Sequence, residues 1–289
     1  MTSSTSPKKV IPVSGGDDLG TRLKDILADL RIEYLQSHNT PWIIGFSGGK
    51  DSTLLAQLVL EMLMSLPPRQ RVRHIHIVAN DTLVESPVIA RHLDAVLNRI
   101  RSSIEPLRLP ITVAKTTPET EQTFWVNLIG RGYPSPSRMF RWCTDRMKIA
   151  PTTEYICSQV DASGAAILLL GVRRAESTQR ARSVQRYDNG ERLNPHNTLK
   201  NCYVYKPIVE LSTEDVWQTL LQSSPPWGGS HRELVTMYRN ARHRLVVRPL
   251  QGSGAGLARW LKKIKARSPL LKQDMEISSH SWSFAIGLN

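Results

Sequence analysis

The sequence predicts an α/β domain, a parallel sheet with helices on both faces. Three observations carry this. Short apolar runs alternate along the chain with longer stretches whose apolar residues recur at helical spacing. One of those runs, Ala165 to Leu170, is apolar throughout, as a strand covered on both faces is. The first run, Trp42-Ile43-Ile44-Gly45-Phe46, passes through a glycine turn straight into a helical pattern beginning Thr53-Leu54-Leu55.

Residues 1–18 are rich in Ser, Pro and Gly and read as a flexible N-terminal arm. From Leu19 to Gln36, Leu23, Ile26, Leu27, Leu30 and Tyr34 mark one face of a helix, which Pro41 closes off. The first strand follows and carries the glycine loop. His74 to Ala79 makes a second strand, ending at Asn80-Asp81-Thr82. A helix from about Ser86 to Ser103 presents Val88, Ile89, Leu93, Val96, Leu97 and Ile100. Ile111 to Ala114 is the third strand and Ala165 to Leu170 the fourth. Ligands of such sheets sit beyond the carboxyl ends of the strands. The loops after Phe46, Ala79 and Leu170 hold that position. The organised domain is expected over 19–242, with an atypical basic tail over 243–289.

The charge is lopsided, with 38 Lys and Arg against 25 Asp and Glu and a net +13. The segment 241–289 holds nine basic and two acidic residues, so that segment supplies over half of that excess. A basic surface suits an anionic partner such as nucleic acid. The three cysteines, Cys143, Cys157 and Cys202, make neither a disulfide framework nor a C-x-x-C metal spacing, which fits a reducing cytoplasm. No apolar stretch approaches the roughly 18 residues of a membrane span, and the polar start is not a signal peptide.

Ser47-Gly48-Gly49-Lys50-Asp51-Ser52 describes a pyrophosphate cradle. Adjacent glycines let the backbone turn tightly and bare its N–H groups, and the helix behind adds unpaired donors and a favourable dipole. Lys50 brings a point charge; Ser47 and Ser52 bring hydroxyls. The spacing is not that of a Walker A loop. A second basic element, Gly171-Val172-Arg173-Arg174-Ala175-Glu176-Ser177 with Arg180 beyond, follows the fourth strand. Its guanidinium forks suit phosphate or sulfate, and Glu176 is placed to orient Arg173 or Arg180. Between these lies Phe124 to Pro134, with an ordered loop at 130–137, then Arg141-Trp142-Cys143-Thr144. Arg141 and Arg146 flank Cys143 in sequence and favour its thiolate, for carrying sulfur or ligating iron; a buried apolar cysteine is the plain alternative. Trp125 and Trp142 read as core aromatics first and base-stacking platforms second. His74 and His76 alternate on a strand without further ligands and read as packing or surface residues.

Assembled, these segments resemble the phosphoadenosine phosphosulfate (PAPS) reductase-like branch of the ATP pyrophosphatases, the PP-loop or adenine nucleotide α-hydrolase-like fold. That branch shows the SGGxDS loop, the G-x-R-x-x-E-S-x-x-R element, and a Pro-Ile…Asp-Val-Trp element matching Pro207 to Trp217. Asp81 to Glu85, 124–134, Arg141 to Thr144 and 234–242 are most similar to the DndC sulfurtransferases of bacterial DNA phosphorothioation. The resemblance spans roughly residues 20–242. It implies ATP cleavage between the α- and β-phosphates, feeding replacement of a non-bridging DNA phosphate oxygen by sulfur. It implies ATP and Mg²⁺ as cofactors, with DNA, a cysteine desulfurase and other subunits of the modification complex as partners. Residues 47–52 would hold the pyrophosphate, with Lys50, Asp51, Arg173 and Arg174 as catalytic groups and Asp51 helping to position magnesium. Asp81, Gly171, Glu176, Ser177 and Arg180 would complete the nucleotide site. Two other readings remain: a PAPS or adenylylsulfate reductase, and a non-catalytic nucleotide-binding scaffold subunit.

The family carries a cysteine-rich block beyond the region matching Asn240-Ala241-Arg242, which with a cysteine matching Cys143 implies a [4Fe–4S] cluster. Here no cysteine follows Cys202. Four thiolates are the usual requirement, so only Cys143 would survive as a ligand. The composition break at Arg242 reads as a frameshift near that codon, with a basic DNA-binding arm and disorder as the alternatives.

Overall fold

The computed structural model describes residues 19–137, 140–176, 182 and 190–242. The expected arm over 1–18 and the basic tail over 243–289 lie outside them. Six helices and six strands matter to the site: α1 (Leu19–Tyr34), β1 (Trp42–Gly45), α2 (Lys50–Ser65), β2 (Ile75–Asn80), α3 (Pro87–Ile104), β3 (Ile111–Thr116), α4 (Ala150–Ser163), β4 (Ala166–Leu169), β5 (Leu193–Pro195), β6 (Cys202–Tyr205), α5 (Thr213–Gln222) and α6 (Arg232–Arg242). The sheet order is β3-β2-β1-β4-β6-β5. All pairings are parallel except that of β5 with β6. The four strands legible in the sequence, β1 to β4, form one side of it, from the β3 edge inward.

Helices cover both faces because successive side chains of a strand point to opposite sides. Trp42, Ile44, Ile75, Ile77, Ile167 and Leu169 join the core beneath α1, α2, α3 and α5. Their neighbours Ile43, Val78, Leu168 and Val204 join a smaller core under α4 through Ile156. Helix α2 is buried along nearly its whole length, which explains why its sequence carries no polar face. Helix α5 starts with a capping box: Ser212 Oγ accepts from Asp215 N–H, and Asp215 accepts from Ser212 N–H at 2.8 Å. Arg22 then grips the same carboxylate with two bonds of 2.7 and 2.8 Å, tying α1 to α5. No helix among the described residues is long and apolar enough to cross a membrane.

His76 of β2 packs against Tyr155, while His74, just ahead of the strand, is exposed and bonded to the Thr112 hydroxyl. His76 is 9% exposed, with Nδ1 2.9 Å from the Tyr155 hydroxyl and the His74 ring 4.7 Å away. Burial, aided by His74, lowers its pKa from 6.5 to about 4. The folded chain therefore keeps His76 neutral where the unfolded chain takes up a proton, so stability falls as pH drops from 6.5 towards 4. The full loss is about 3 kcal/mol, with about 2 kcal/mol of it reached by pH 5. Urea midpoints at pH 7.5 and 5 should diverge in the native sequence, and His76→Gln should narrow the gap.

Candidate functional site

The strand order explains why the two basic motifs meet. From β1 the chain winds outward through β2 to β3, then returns so that β4 lies on the other side of β1. Loops leaving the carboxyl ends of β1 and β4 meet at this switch point, the place where ligands of such sheets bind. The glycine loop occupies one side and Gly171 to Glu176 the other.

The loop is braced from within. Ser47 and Ser52 hydroxyls lie 3.0 Å apart; Ser52 Oγ accepts from Ser47 N–H and donates to Gly49 O. Both hydroxyls expected to face phosphate thus serve also to shape the turn. Gly48 takes φ +70°, a conformation costly to any residue with a Cβ. Gly49 is the N-cap of α2 and supplies no side chain to cap the donors of the first turn. Gly171 lies so close that a Cβ on it would stand 3.0 Å from Asp51 C and O and 3.1 Å from Ser52 N.

Asp51 joins the two motifs. Its Oδ1 accepts from Arg173 Nε at 2.6 Å and its Oδ2 from Lys50 Nζ at 2.7 Å. Arg173 is fully buried, and its other nitrogens reach Leu211 O and Thr213 Oγ1. Arg173 is thus oriented by Asp51, not by Glu176, whose backbone N–H meets Arg173 O at 3.4 Å. Arg174 lies at the surface with Nε 3.0 Å from Glu210. Ser177 and Arg180 lie outside the described residues.

Asp81 sits at the end of β2, paired with Lys115 at 2.9 Å and accepting from Leu83 N–H at 2.9 Å. Its carboxylate is held below the usual range by those bonds, which outweigh its burial. Asp81 thereby shapes the β2 loop, where Leu83 takes φ 62°. Nearby, Asn80 Nδ2 donates to Lys148 O, Thr116 Oγ1 and Thr152 Oγ1, stitching β2 to β3 and α4. Lys148 in turn faces Glu85 at 3.5 Å.

Cys143 lies half-buried in the helical turn Trp142–Thr144, ahead of a π-helical turn over Asp145–Ile149. A second π-helical turn spans Val126–Gly130, and 131–137 is loop, as its glycines and prolines require. Trp142 is core, with its indole N–H on Pro134 O, whereas Trp125 is 58% exposed. Arg146, expected to favour a Cys143 thiolate, is instead committed to Gln122 and to the Tyr133 hydroxyl and ring. Cys202 is buried in β6, where burial, with Cys157 close by, pushes its thiol up to about 11. Three cysteines, one of them locked in the sheet as a thiol, do not fit a four-thiolate cluster. Among the described residues no group of three or more His, Cys, Asp or Glu could hold a metal ion.

One contact at the loop was not foreseen. Tyr238 of α6 places its hydroxyl 3.3 Å from Lys50 N, accepting that hydrogen. Its signal in the sequence is slight: one tyrosine in a polar helix far from the motif.

An uncharacterised protein of Methanocaldococcus jannaschii is 25% identical over 187 residues, 65% of this chain and 32% of that protein. The chain thus matches about a third of that relative's length. Similar solved structures include a PAPS reductase from Candida auris, 11% identical with a TM-score of 0.41, covering 73% of this chain and 88% of that one. Another is the U34-tRNA thiolase NcsA of Methanococcus maripaludis with its [4Fe–4S] cluster, 12% identical with a TM-score of 0.43, covering 90% and 86%. The family model of the phosphoadenosine phosphosulfate reductase domain matches residues 41–227, more than half of the sequence, and the chain belongs to that family.

Proposed function

We propose that this chain is an ATP pyrophosphatase serving sulfur transfer to DNA, a DndC-type enzyme of phosphorothioate modification. Family members are nucleotide-using enzymes of sulfur chemistry. The observation that supports this reading best is the glycine-capped start of α2, laid at the switch point and pinned to the β4 loop through Asp51 and Arg173. The narrower assignment to DNA rests on the sequence segments 81–85, 124–134, 141–144 and 234–242.

In this reading the amides of Gly48 to Ser52 receive the β,γ-pyrophosphate, and the α2 dipole favours its charge. Lys50 Nζ exchanges Asp51 for phosphate oxygens as charge develops on the leaving group. Asp51 is the carboxylate fit to hold magnesium, which keeps several waters and needs only one or two such ligands. A DNA phosphate oxygen attacks the α-phosphorus and pyrophosphate leaves. The adenylated oxygen is then a good leaving group. Persulfide sulfur from a cysteine desulfurase displaces AMP at the DNA phosphorus, and a second thiol cleaves the remaining S–S bond, leaving phosphorothioate and a disulfide. Arg174, Asp81 and Glu176 line the surrounding loops, and the other subunits present the DNA.

The test is pyrophosphate release from ATP and Mg²⁺ with DNA. Lys50→Ala should lower the rate at least about 100-fold, the scale of losing one charge-stabilising donor. An unchanged rate would remove the cradle from the mechanism. Reductant-dependent sulfite formation from PAPS would assign the chain to the reductases instead.

A further inference from the structure

Helix α6 reaches the phosphate loop from outside the sheet. Tyr238 Oη accepts from Lys50 N–H at 3.3 Å, and would lie 3.3 Å from a Cβ placed on Gly49. Lys50 Nζ lies 5.7 Å from the same ring, and Trp217 braces it edge-on at 5.0 Å. Leu234, 1% exposed, anchors α6 in the main core, with Met237 packed against it. One turn from Tyr238, Glu233 stands 3.6 Å from His92, a buried ring against Gly48. The helix therefore meets the loop directly at Gly49 and Lys50, and reaches Gly48 only through His92 of α3.

Lys50 N–H carries a single hydrogen, and it opens a helix that has no side-chain cap. At 3.3 Å its bond to the phenol oxygen is longer than an ordinary N–H···O bond. A phosphate oxygen is charged, and bonds to charged acceptors are shorter and roughly twice as strong. Burial raises the Tyr238 pKa, so the phenol oxygen is a neutral acceptor. The anion wins such an exchange.

We infer that Tyr238 is a gate on the cradle: its hydroxyl and an incoming phosphate oxygen compete for Lys50 N–H, so nucleotide binding releases α6 from the loop. This rests on the reading of residues 47–52 as a phosphate cradle. The coupling is reciprocal, so whatever tightens α6 against the loop weakens nucleotide binding by the same factor.

Inorganic pyrophosphate is the probe, titrated calorimetrically into the native chain and Tyr238→Phe. Removal of one competing hydrogen bond should tighten binding roughly 2- to 10-fold. Hydrogen exchange in the native chain gives a second, variant-independent readout. Amides of 232–242 should exchange faster with pyrophosphate, and in Tyr238→Phe they should be fast already. Equal or weaker binding by the variant, or slower exchange of α6 with pyrophosphate in the native chain, overturns the gate. Failure of both proteins to bind pyrophosphate removes the cradle itself, and the gate with it.

Discussion

Arg173→Met should destabilise the fold by about 3–5 kcal/mol and abolish pyrophosphate release. The guanidinium is 0% exposed and holds Asp51 Oδ1 at 2.6 Å, in a site where Asp51 itself is 7% exposed. Methionine roughly keeps the volume, so packing is not the main loss. The loss is that a buried carboxylate keeps only Lys50, while Leu211 O and Thr213 Oγ1 lose their donor. Breaking one side of a buried pair costs far more than the pair contributes net, because the remaining charge is stranded away from water. For a domain of this size the thermal midpoint should fall by roughly 6–20 °C. The double variant Asp51→Asn with Arg173→Met should recover part of that stability, since no carboxylate is left stranded, although Lys50 then loses its partner. It should recover no activity, because the cradle would then lack the carboxylate that positions Lys50 and that is proposed to hold magnesium. A single variant that melts like the native chain would mean the Arg173–Asp51 contact is not the lock between the motifs.

That lock marks the limit of what sequence reading could see. The glycine loop was legible because its chemistry is local: strand, two glycines, helix, all within a dozen residues. Strands β1 to β4 were legible for the same reason. Strand β5 was not, being three residues long and ending in Pro195, nor was β6, whose Cys-Tyr-Val-Tyr with Tyr203 exposed makes no continuous apolar run like those of β1 and β4. Arg173 was singled out, but for phosphate, because a cation at a strand end has no visible partner in one dimension. Its partner stands 122 residues earlier and is reached only because β4 returns beside β1. Arg146 failed the opposite way, since its neighbour in sequence, Cys143, is not its neighbour in bonding. Tyr238 had no local signal, and only docking of α6 puts its hydroxyl on Lys50.

Gly171→Ala is the second large effect, and it separates the geometry of the cradle from the stability of the fold. Glycine is required here by proximity, because no positive φ is recorded at this position. The added Cβ would meet Asp51 C and O at 3.0 Å and Ser52 N at 3.1 Å. These are backbone atoms of the first turn of α2, so no side chain can swing aside and the turn itself must shift. Over-packing of this kind costs about 1–3 kcal/mol. The catalytic cost should be larger, since displacement of about 1 Å in a positioned site can lower a rate 100-fold. Gly164 is the control. It caps α4 at φ +78°, with nothing within 4 Å of a Cβ, so Gly164→Ala adds left-handed strain of about 1–2 kcal/mol and no clash. Gly164→Ala should therefore lower the thermal midpoint about as much as Gly171→Ala while leaving kcat for pyrophosphate release near that of the native chain. Gly171→Ala should lose that kcat by about two orders of magnitude with modest loss of stability. If the two variants lost activity in proportion to stability, the approach of β4 to α2 would be a packing contact alone. The switch point would then owe its chemistry to the glycine loop without help from its neighbour.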